Sequence, residues 1–280
     1  MDLFPQLIAW INIPANVLGN LLSAPVCALP GWLSNTVISA VTGVALLIAF
    51  KYTSNQVAIG RARDSINANI LVLWLFKDSL IVTFKALGQI FKGAFVSLIH
   101  SIRPILVIIV PVCLLLGQMG LWYQFRPFKP GEHFVIRMKL AGNEDSPWPI
   151  VSIGPTPAAE IVTGPVRVFS RREIYWDVMA RKSGYHRIIF QLDNQKIEKE
   201  LAIGHGLMRV SAKRPGWNWN DILIQPLEKP FGPDSIVQYI SIEYRKRISY
   251  TSGADWWIGY FFLISLVFAL IFKPVLRVRI

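Results

Sequence analysis

The sequence is poor in charged residues and has few cysteines. Only 16% of its 280 residues are charged, whereas a soluble domain averages about 25%. Its two cysteines, Cys27 and Cys113, fall in or beside apolar segments, so the polar part of the chain is expected to fold without disulfides. Residues 1–32 contain no lysine or arginine, which argues against a cleaved signal peptide because such peptides begin with a basic segment. These absences indicate a protein of the lipid bilayer.

Three apolar runs are long enough to cross a bilayer, since a helical span needs roughly 20 residues and at least about 17. We predict spans at residues 33–50, 104–123 and 256–272. The third run is the shortest, but Trp256 at one end and Lys273 at the other suit the two membrane interfaces. In the first run, small and hydroxylated residues from Ser34 to Gly43 offer a packing surface for another helix. The predicted class is a membrane α-helical protein with three transmembrane helices.

Lysine and arginine are placed asymmetrically around these runs. They are absent from residues 1–32, frequent in 51–103 and present again in 273–280. The positive-inside rule therefore predicts an N-terminus outside, with segment 51–103 and the C-terminal tail in the cytoplasm. Residues 124–255 then form an extracytoplasmic domain, and residues 1–32 are expected to contain a short interfacial helix. We expect the bacterial inner membrane, and the absence of an Asn-x-Ser/Thr sequence is compatible with a bacterial origin.

The cytoplasmic segment 51–103 carries a heptad-like apolar stripe. From Ile66 to Ile102 apolar residues recur at steps of four and three, which is typical of packed helices. One long amphipathic helix and a helical hairpin that bends near Lys77 both fit this pattern. In one interpretation the stripe packs on its own partner helix or on lipid, and in the other it docks another protein. The candidate interaction residues are Trp74, Phe76 and Phe84.

Residues 124–255 change to the period of two that β-strands show. We predict strands at residues 134–140, 166–169, 173–178, 185–192, 206–210 and 236–242, with a hairpin turn at Asp193-Asn194. Turn pairs such as Gly142-Asn143 and Gly164-Pro165 separate these segments. About six or seven short strands at this spacing predict an all-β, immunoglobulin-like sandwich.

Motifs for catalysis or cofactor binding are missing from the sequence. It has no phosphate loop, dinucleotide fingerprint or nucleophile elbow. Its four histidines have no cysteine, histidine or carboxylate at metal-binding spacing. The net charge of +12 is spread along the chain without a long basic run, so nucleic acid is not an expected partner. We therefore expect no enzymatic activity, no cofactor and no metal.

Two further features are candidate sites. In the second span, Pro111 is expected to kink the helix. Gln118 either hydrogen-bonds another helix or lines a polar groove that has Arg103 at its mouth. In the β-domain, Trp217 and Trp219 occupy a stretch rich in Gly, Pro and Asn. Either one of them fills the β-core, or they contact a partner protein, the membrane surface or a glycan.

The segment Ser101–Val112, SIRPILVIIVPV, is similar to the start of the second span in the three-span branch of the YidC-type membrane insertase superfamily. With the order of spans around it, the resemblance covers residues 33–123. It implies a helper that receives or inserts membrane segments through a polar groove, with Arg103 and Gln118 as groove residues. Residues 74–84 would then face the client or the ribosome. The chain departs from that family in its apolar cytoplasmic segment and in the large β-domain between spans two and three.

Two functions fit these features best. The sequence favours a non-enzymatic accessory or scaffold subunit of a larger membrane complex, because it offers wide apolar surfaces and no chemistry of its own. Its partners would be other membrane proteins and the lipid bilayer. The alternative is the insertase-like or membrane-protein chaperone role, with client membrane proteins as partners. A small channel is a third possibility, and three spans without charged residues would have to oligomerise to form one.

Overall fold

The computed structural model describes residues 3–76, 78–143, 146–193 and 195–278. These residues form six α-helices, which are α1 (Leu3–Cys27), α2 (Gly31–Thr53), α3 (Gln56–Leu75), α4 (Leu80–Tyr123), α5 (Trp219–Ile224) and α6 (Trp257–Leu276). Helices α2, α4 and α6 are long and apolar enough to cross a membrane, at the positions that the apolar runs predict. The chain divides into two compact units. The first takes in the chain up to Val37 and Cys113–Tyr260, and the second comprises Ile38–Val112 and the chain from Phe261 onward.

The first unit contains eight β-strands in two antiparallel sheets. They are β1 (His133–Leu140), β2 (Val151–Ile153), β3 (Ala159–Val168), β4 (Glu173–Ala180), β5 (Gly184–Leu192), β6 (Gln195–Ile203), β7 (Lys213–Arg214) and β8 (Val237–Ile242). The larger sheet has the order β3-β4-β1-β8-β7, and the smaller has the order β2-β5-β6. The antiparallel β-region that the sequence predicts is therefore present.

One hydrophobic core is shared by the two sheets. Alternate side chains are buried in several strands, as in β1, where Phe134, Ile136, Met138 and Leu140 point into the core. Trp176 of the larger sheet meets Phe190 of the smaller one edge to face, with ring centroids 5.5 Å apart. This shared core explains why a period of two predicted β1, β4, β5 and β8, since every second residue of these strands must be apolar to fill it.

The structure corrects the sequence prediction at two places. Residues 206–210 alternate in polarity but form no strand, because Val210 N donates its hydrogen bond to Leu121 O at the end of α4 instead of to a neighbouring strand. The richness in Gly, Pro and Asn around Trp217 and Trp219 predicts a loop, yet Trp219–Ile224 form α5. Asn218 begins that helix by accepting a hydrogen bond from Asn220 N. The predicted hairpin joins β5 to β6 at Asp193, whereas Asn194 lies outside the described residues.

In the second unit, the segment predicted as one helix or a hairpin forms two antiparallel helices. Helix α3 ends at Leu75 and α4 begins at Leu80; Lys77 lies outside the described residues. A Cβ atom on Gly93 of α4 would lie 2.8 Å from Ile66 Cγ1 of α3, so the glycine permits the close contact of the two helices. Helix α4 has 44 residues and continues through Pro104 and Pro111 without interruption.

Helices α2 and α6 also approach closely within the second unit. A Cβ atom on Gly43 would lie 2.2 Å from Ser265 O, a backbone atom that cannot move aside easily. Ser265 Oγ donates a hydrogen bond to Ser39 O at 2.9 Å. Small residues let two helix backbones meet at such a distance, which is the usual device of helix pairs in membranes. The small-residue surface predicted for the first span is thus used in a helix contact.

Candidate functional site

The candidate site lies in the first unit, where α1 meets residues 217–232 of the β-domain. Asn12 Nδ2 donates to Ile222 O at 2.8 Å. Asn16 Nδ2, one helical turn further along α1, donates to Pro226 O at 2.6 Å. Gln118 Nε2 of α4 donates in turn to Asn16 Oδ1 at 2.6 Å. Amide side chains therefore join α1, the end of α4 and the segment that follows α5.

Two glycines allow these elements to come together. A Cβ atom on Gly117 of α4 would lie 2.7 Å from Leu223 O in α5, and one on Gly19 of α1 would lie 2.7 Å from Gln118 Oε1. Real Cβ atoms do not approach an oxygen this closely. The absence of a side chain at Gly117 therefore permits the close approach of α4 to α5, and its absence at Gly19 leaves space for the Gln118 amide.

Helix α1 is polar where it meets the β-domain and apolar where it is exposed. Asn12 is only 4% exposed, and no charged residue occurs from Leu3 to Cys27. The exposed large side chains are Leu3, Phe4, Leu7, Trp10, Ile13, Val17, Leu18 and Leu21. A surface helix of a water-soluble protein shows the opposite arrangement. The outer face of α1 therefore has the composition of a surface that lipid or another protein covers.

A cleft of about 800 Å³, called the α1 cleft below, lies between these elements. Its lining residues are Gln6, Ala9, Trp10, Asn12, Ile13, Asn16, Trp217, Ile222, Pro226, Leu227, Glu228, Lys229, Pro230 and Gly232. Two buried polar atoms of the lining, Asn12 Oδ1 and Trp217 Nε1, have no hydrogen-bond partner among the described residues. Both atoms belong to lining residues but are themselves closed off from solvent, so the accessible walls of the cleft are mainly apolar.

A buried ion pair stands behind one wall of the α1 cleft. Lys199 of β6 is fully buried, and its Nζ lies 2.5 Å from Glu228 Oε1 and donates to Ser211 O at 2.6 Å. Burial lowers the pKa of Lys199, while the carboxylate of Glu228 opposes that shift. Burial also raises the pKa of the neighbouring Glu200, and the charge of Glu228 adds to the effect. The ion pair holds residues 226–232 against the sheet.

Lys199 and Ser211 have the spacing of a serine–lysine catalytic pair, with Lys199 Nζ 3.2 Å from Ser211 Oγ. Their surroundings favour a structural role. Ser211 is 3% exposed and its hydroxyl donates to Glu228, so the oxygen is oriented toward a carboxylate and not toward open space. A nucleophile activated by lysine needs a neutral amine, whereas Glu228 favours the ammonium form. The group therefore acts as a satisfied polar network.

The start of α2 is also held in the first unit by polar contacts. Ser34 Oγ and Tyr123 Oη are 2.6 Å apart, and Thr36 Oγ1 and Tyr260 Oη are 2.8 Å apart. Asn35 Nδ2 donates to Thr251 O at 2.5 Å. The predicted polar surface at the beginning of the first span therefore binds the last residue of α4, the segment before α6 and α6 itself.

The structure brings together some of the sequence-predicted site residues. Gln118 is 5% exposed and reaches the α1 cleft through Asn16, and Trp217 lines that cleft. Trp219 is half exposed in the first turn of α5 and is not part of the lining. In the second unit, Arg103 and Pro111 are exposed on α4. Trp74, Phe76 and Phe84 are exposed on either side of the turn between α3 and α4.

Apart from Trp217 and Gln118, sequence reasoning missed the residues that build the α1 cleft. Asn12 and Asn16 gave a usable signal, because two asparagines one helical turn apart in an uncharged apolar helix must face a polar partner. Lys199 and Glu228 gave none, since Lys199 lies in an alternating charged hairpin that is typical of a solvated strand. Among the described residues, no group of His, Cys, Asp and Glu side chains could hold a metal ion.

Comparison with known proteins found no match to this chain among protein-family models, curated proteins or solved structures. The functional argument therefore rests on the geometry of its own residues.

Proposed function

We propose that this chain is a non-enzymatic integral membrane protein that serves as an accessory or scaffold subunit of a larger membrane complex. It would contact other membrane proteins through its helices and its β-domain. The observation that carries the proposal is the apolar end of the α3–α4 hairpin. Large exposed side chains cluster there, and Trp74 alone is 82% exposed.

The hairpin end is a large exposed apolar feature outside the three spans that the sequence predicts. Its exposed large side chains are Ile70, Leu71, Trp74, Leu75, Phe76, Leu80, Ile81 and Phe84. In the proposed topology this end lies in the cytoplasm, where water would otherwise cover it. Contiguous apolar patches of this kind mark interaction sites, because soluble surfaces rarely expose them. A partner protein that covers the patch accounts for the exposed apolar residues on both helices.

The proposed placement follows from the distribution of lysine and arginine. Helices α2, α4 and α6 would cross the bacterial inner membrane, with the N-terminus outside and the C-terminus in the cytoplasm. The β-domain, proposed as an immunoglobulin-like sandwich, would be extracytoplasmic. Single cysteines at Lys92 and at Arg181, in a chain whose Cys27 and Cys113 are replaced by serine, test this. Only the cysteine at position 181 should react with a membrane-impermeant maleimide in intact spheroplasts. Labelling at position 92 instead would indicate the opposite orientation in the membrane.

Co-purification tests the scaffold role. The full chain is purified in mild detergent, and bound proteins are quantified by mass spectrometry. We expect stoichiometric membrane proteins with the wild type and their loss in a Trp74→Ser, Phe84→Ser double variant. Tyr250→Ser is the matched control, because Tyr250 is an equally exposed aromatic residue of the β-domain, and it should keep the partners. A monodisperse wild-type protein without partners would contradict the proposal.

The insertase-like role is the alternative. The antiparallel α3–α4 hairpin that continues into the second span supports it, because the resemblance implies a helical segment at that position. The buried contact between Gln118 and Asn16 counts against an open groove at that depth. Photo-crosslinkers at Arg103 and at Gln118 distinguish the two roles. Crosslinks to nascent membrane proteins favour the insertase role, whereas crosslinks to one stable partner or only to lipid favour the scaffold.

A further inference from the structure

We propose that residues 245–254, called the 245–254 loop below, bind the surface of the bilayer and hold the β-domain against it. Ile248 and Tyr250 enter the boundary between head groups and acyl chains, while Arg245 and Lys246 bind the phosphates of phospholipid head groups. This inference rests on the proposed placement of the three spans, but it does not depend on the scaffold role.

The first step is the position of the loop, which contacts one end of each apolar helix within the first unit. Gln124 O, directly after α4, accepts a hydrogen bond from Arg247 N at 3.2 Å. Asn35 in the second turn of α2 donates to Thr251 O at 2.5 Å. Gly253 O accepts from the first residue of α6 at 2.9 Å. Helices that cross a bilayer leave it at its surface, so a loop that contacts three such ends lies at that surface.

The second step is the shape of the loop, which is closed on itself. Ala254 N donates a hydrogen bond to Arg247 O at 2.9 Å. A Cβ atom on Gly253 would lie 2.3 Å from the backbone nitrogen and oxygen of Ser249, so the glycine permits this tight fold. Ser249 Oγ also accepts a hydrogen bond from Thr251 N at 3.3 Å. Backbone groups that are paired within the loop do not need water, which suits a segment at the edge of a bilayer.

The third step is the pair of large side chains that project from the closed loop. Ile248 is 99% exposed and Tyr250 is 85% exposed, so the β-domain covers neither of them. Trp256, two residues after the loop, is exposed as well. Single exposed apolar residues are common on soluble proteins, but aromatic residues beside the ends of apolar helices are typical of the membrane interface. There Ile248 leaves water, and Tyr250 keeps its hydroxyl group among the polar head groups.

The fourth step is the charge of the loop, which has three basic residues and no acidic residue. Lys246 pairs with Asp255 at 3.1 Å, but both side chains are mostly exposed, so water screens the pair and a phosphate can replace the carboxylate. Arg245 contacts Glu132 through Nε at 3.2 Å. Its two Nη atoms have no partner in the described part of the chain, and such a guanidinium group suits phosphate oxygens.

A partner protein or a second copy of the chain is the other conceivable occupant of this surface. Lipid is favoured because the helix ends themselves place the bilayer at the loop, with no further molecule required. The combination of exposed cations with an isoleucine and a tyrosine also matches the two layers of a bilayer surface, which are phosphates outside and acyl chains inside.

Spin-label accessibility tests the inference on the full chain in vesicles of phosphatidylcholine and phosphatidylglycerol. One nitroxide is attached at Ile248→Cys, Ile150→Cys or Leu263→Cys, in a chain whose Cys27 and Cys113 are replaced by serine. We expect the label at position 248 to collide more often with oxygen, which concentrates in lipid, than with a water-soluble nickel chelate. The label at position 263, in the middle of α6, should show a still stronger preference for oxygen.

Ile150 is the matched control, because it is also an exposed isoleucine of the β-domain. It lies beside the turn between β5 and β6, where Asp193 N donates to Ile150 O. The 245–254 loop contacts Gly206, just beyond the opposite end of this hairpin. The nine residues of β5 separate the two ends by about 26 Å. The label at position 150 should therefore collide mainly with the nickel chelate.

The cations are tested by Lys246→Gln with the label at position 248. The ratio of lipid-bound to water-exposed loop, read from the two components of the spectrum, should fall about fivefold for the lost charge. Lys196→Gln, at an exposed lysine of the β5–β6 hairpin, is the control and should leave that ratio unchanged. An unchanged ratio in Lys246→Gln would overturn the assignment of this lysine to lipid phosphate.

The outcomes separate this inference from the placement of the spans. Lipid contact at position 263 with water contact at position 248 would overturn the inference and leave the spans in the bilayer. Water contact at both positions would overturn the placement of α6 as well. Equal preference for oxygen at positions 150 and 248 would mean that the label itself enters lipid, which would also overturn the inference. Spin–spin broadening at position 248 that disappears on dilution with unlabelled chain would assign the surface to a second copy instead.

Discussion

Gln118 of α4 donates a hydrogen bond of 2.6 Å to Asn16 of α1. Asn16 in turn donates a hydrogen bond to Pro226 O. This amide pair therefore links two helices to the segment that lines the α1 cleft. Gly19 and Gly117 lie beside this pair, and a side chain at either position would meet neighbouring atoms too closely. The geometry of the cleft therefore depends on contacts that lie far apart in the sequence.

The coupling between Gln118 and Asn16 is measurable in a double-mutant cycle. Asn16→Ala should lower the free energy of unfolding more than Gln118→Ala does, because Asn16→Ala also removes the hydrogen bond to Pro226 O. We expect a coupling free energy of about 0.5–2 kcal/mol, read from reversible unfolding of the full chain in detergent. Gln89→Ala, at an exposed position of the same helix, is the control and should change stability by less than about 0.5 kcal/mol. Additive effects of the two substitutions would show that the contact carries no coupling.

Alanine at two glycines should have effects of opposite sign. Gly43→Ala places a Cβ atom 2.2 Å from Ser265 O and forces α2 away from α6, which we expect to destabilise by about 1–3 kcal/mol. Gly88→Ala meets nothing within 4 Å on α4 and should stabilise by up to about 1 kcal/mol, because alanine is the better helix former. Thermal unfolding of the two variants compares them directly. A Gly43→Ala chain as stable as the wild type would mean that the α2–α6 contact is looser than described.

The Glu132 carboxylate should make stability depend on pH in the acidic range. Arg126 binds it through two hydrogen bonds of 2.7 and 2.9 Å and lowers its pKa from 4.5 to about 2. A lowered pKa means that the stabilisation is complete above about pH 4.5 and is lost as the pH falls toward 2. Glu132→Gln should therefore cost about 2 kcal/mol at pH 7, and the difference from wild type should shrink between pH 4.5 and 2.

A control for Glu132 is available on the same domain. Glu160 pairs with Arg181, but both side chains are more than half exposed. Glu160→Gln should change stability by less than about 1 kcal/mol at pH 7, since water screens an exposed pair. Urea unfolding at a series of pH values measures both variants. A Glu132→Gln chain whose deficit stays constant from pH 7 to pH 2 would exclude the proposed linkage.

The buried pair of Lys199 and Glu228 should respond differently to single and double substitution. Lys199→Met leaves the Glu228 carboxylate buried without its cation, and we expect a loss of about 3–5 kcal/mol. The double variant Lys199→Met, Glu228→Leu removes both charges and should recover much of that loss. Chemical denaturation followed by tryptophan fluorescence gives the three stabilities. If the double variant were as unstable as Lys199→Met, the hydrogen bonds to Ser211 would be the dominant contribution.

The fold was accessible from the sequence wherever burial repeats regularly. A period of two placed β1, β4, β5 and β8, because one face of each strand enters a shared core. It failed at residues 206–210, where Val210 bonds to Leu121 O, and it missed β2 and β7, which are too short to show a period. The stripe in residues 51–103 indicated packed helices but left one helix and a hairpin equally possible.

The sequence by itself determined the three apolar helices and the β-domain, because apolar length and alternation act locally along the chain. Only the tertiary structure decided what the polar residues contact. Asn12 and Asn16 of α1 are far apart in sequence from Gln118 and from the carbonyl groups that they bind. Lys199 resembles a solvated residue until Glu228 and Ser211 are placed beside it. Hydrogen bonds and ion pairs depend on distances of about 3 Å between atoms of distant segments, and no local pattern records them. The α1 cleft therefore became visible only in the folded chain.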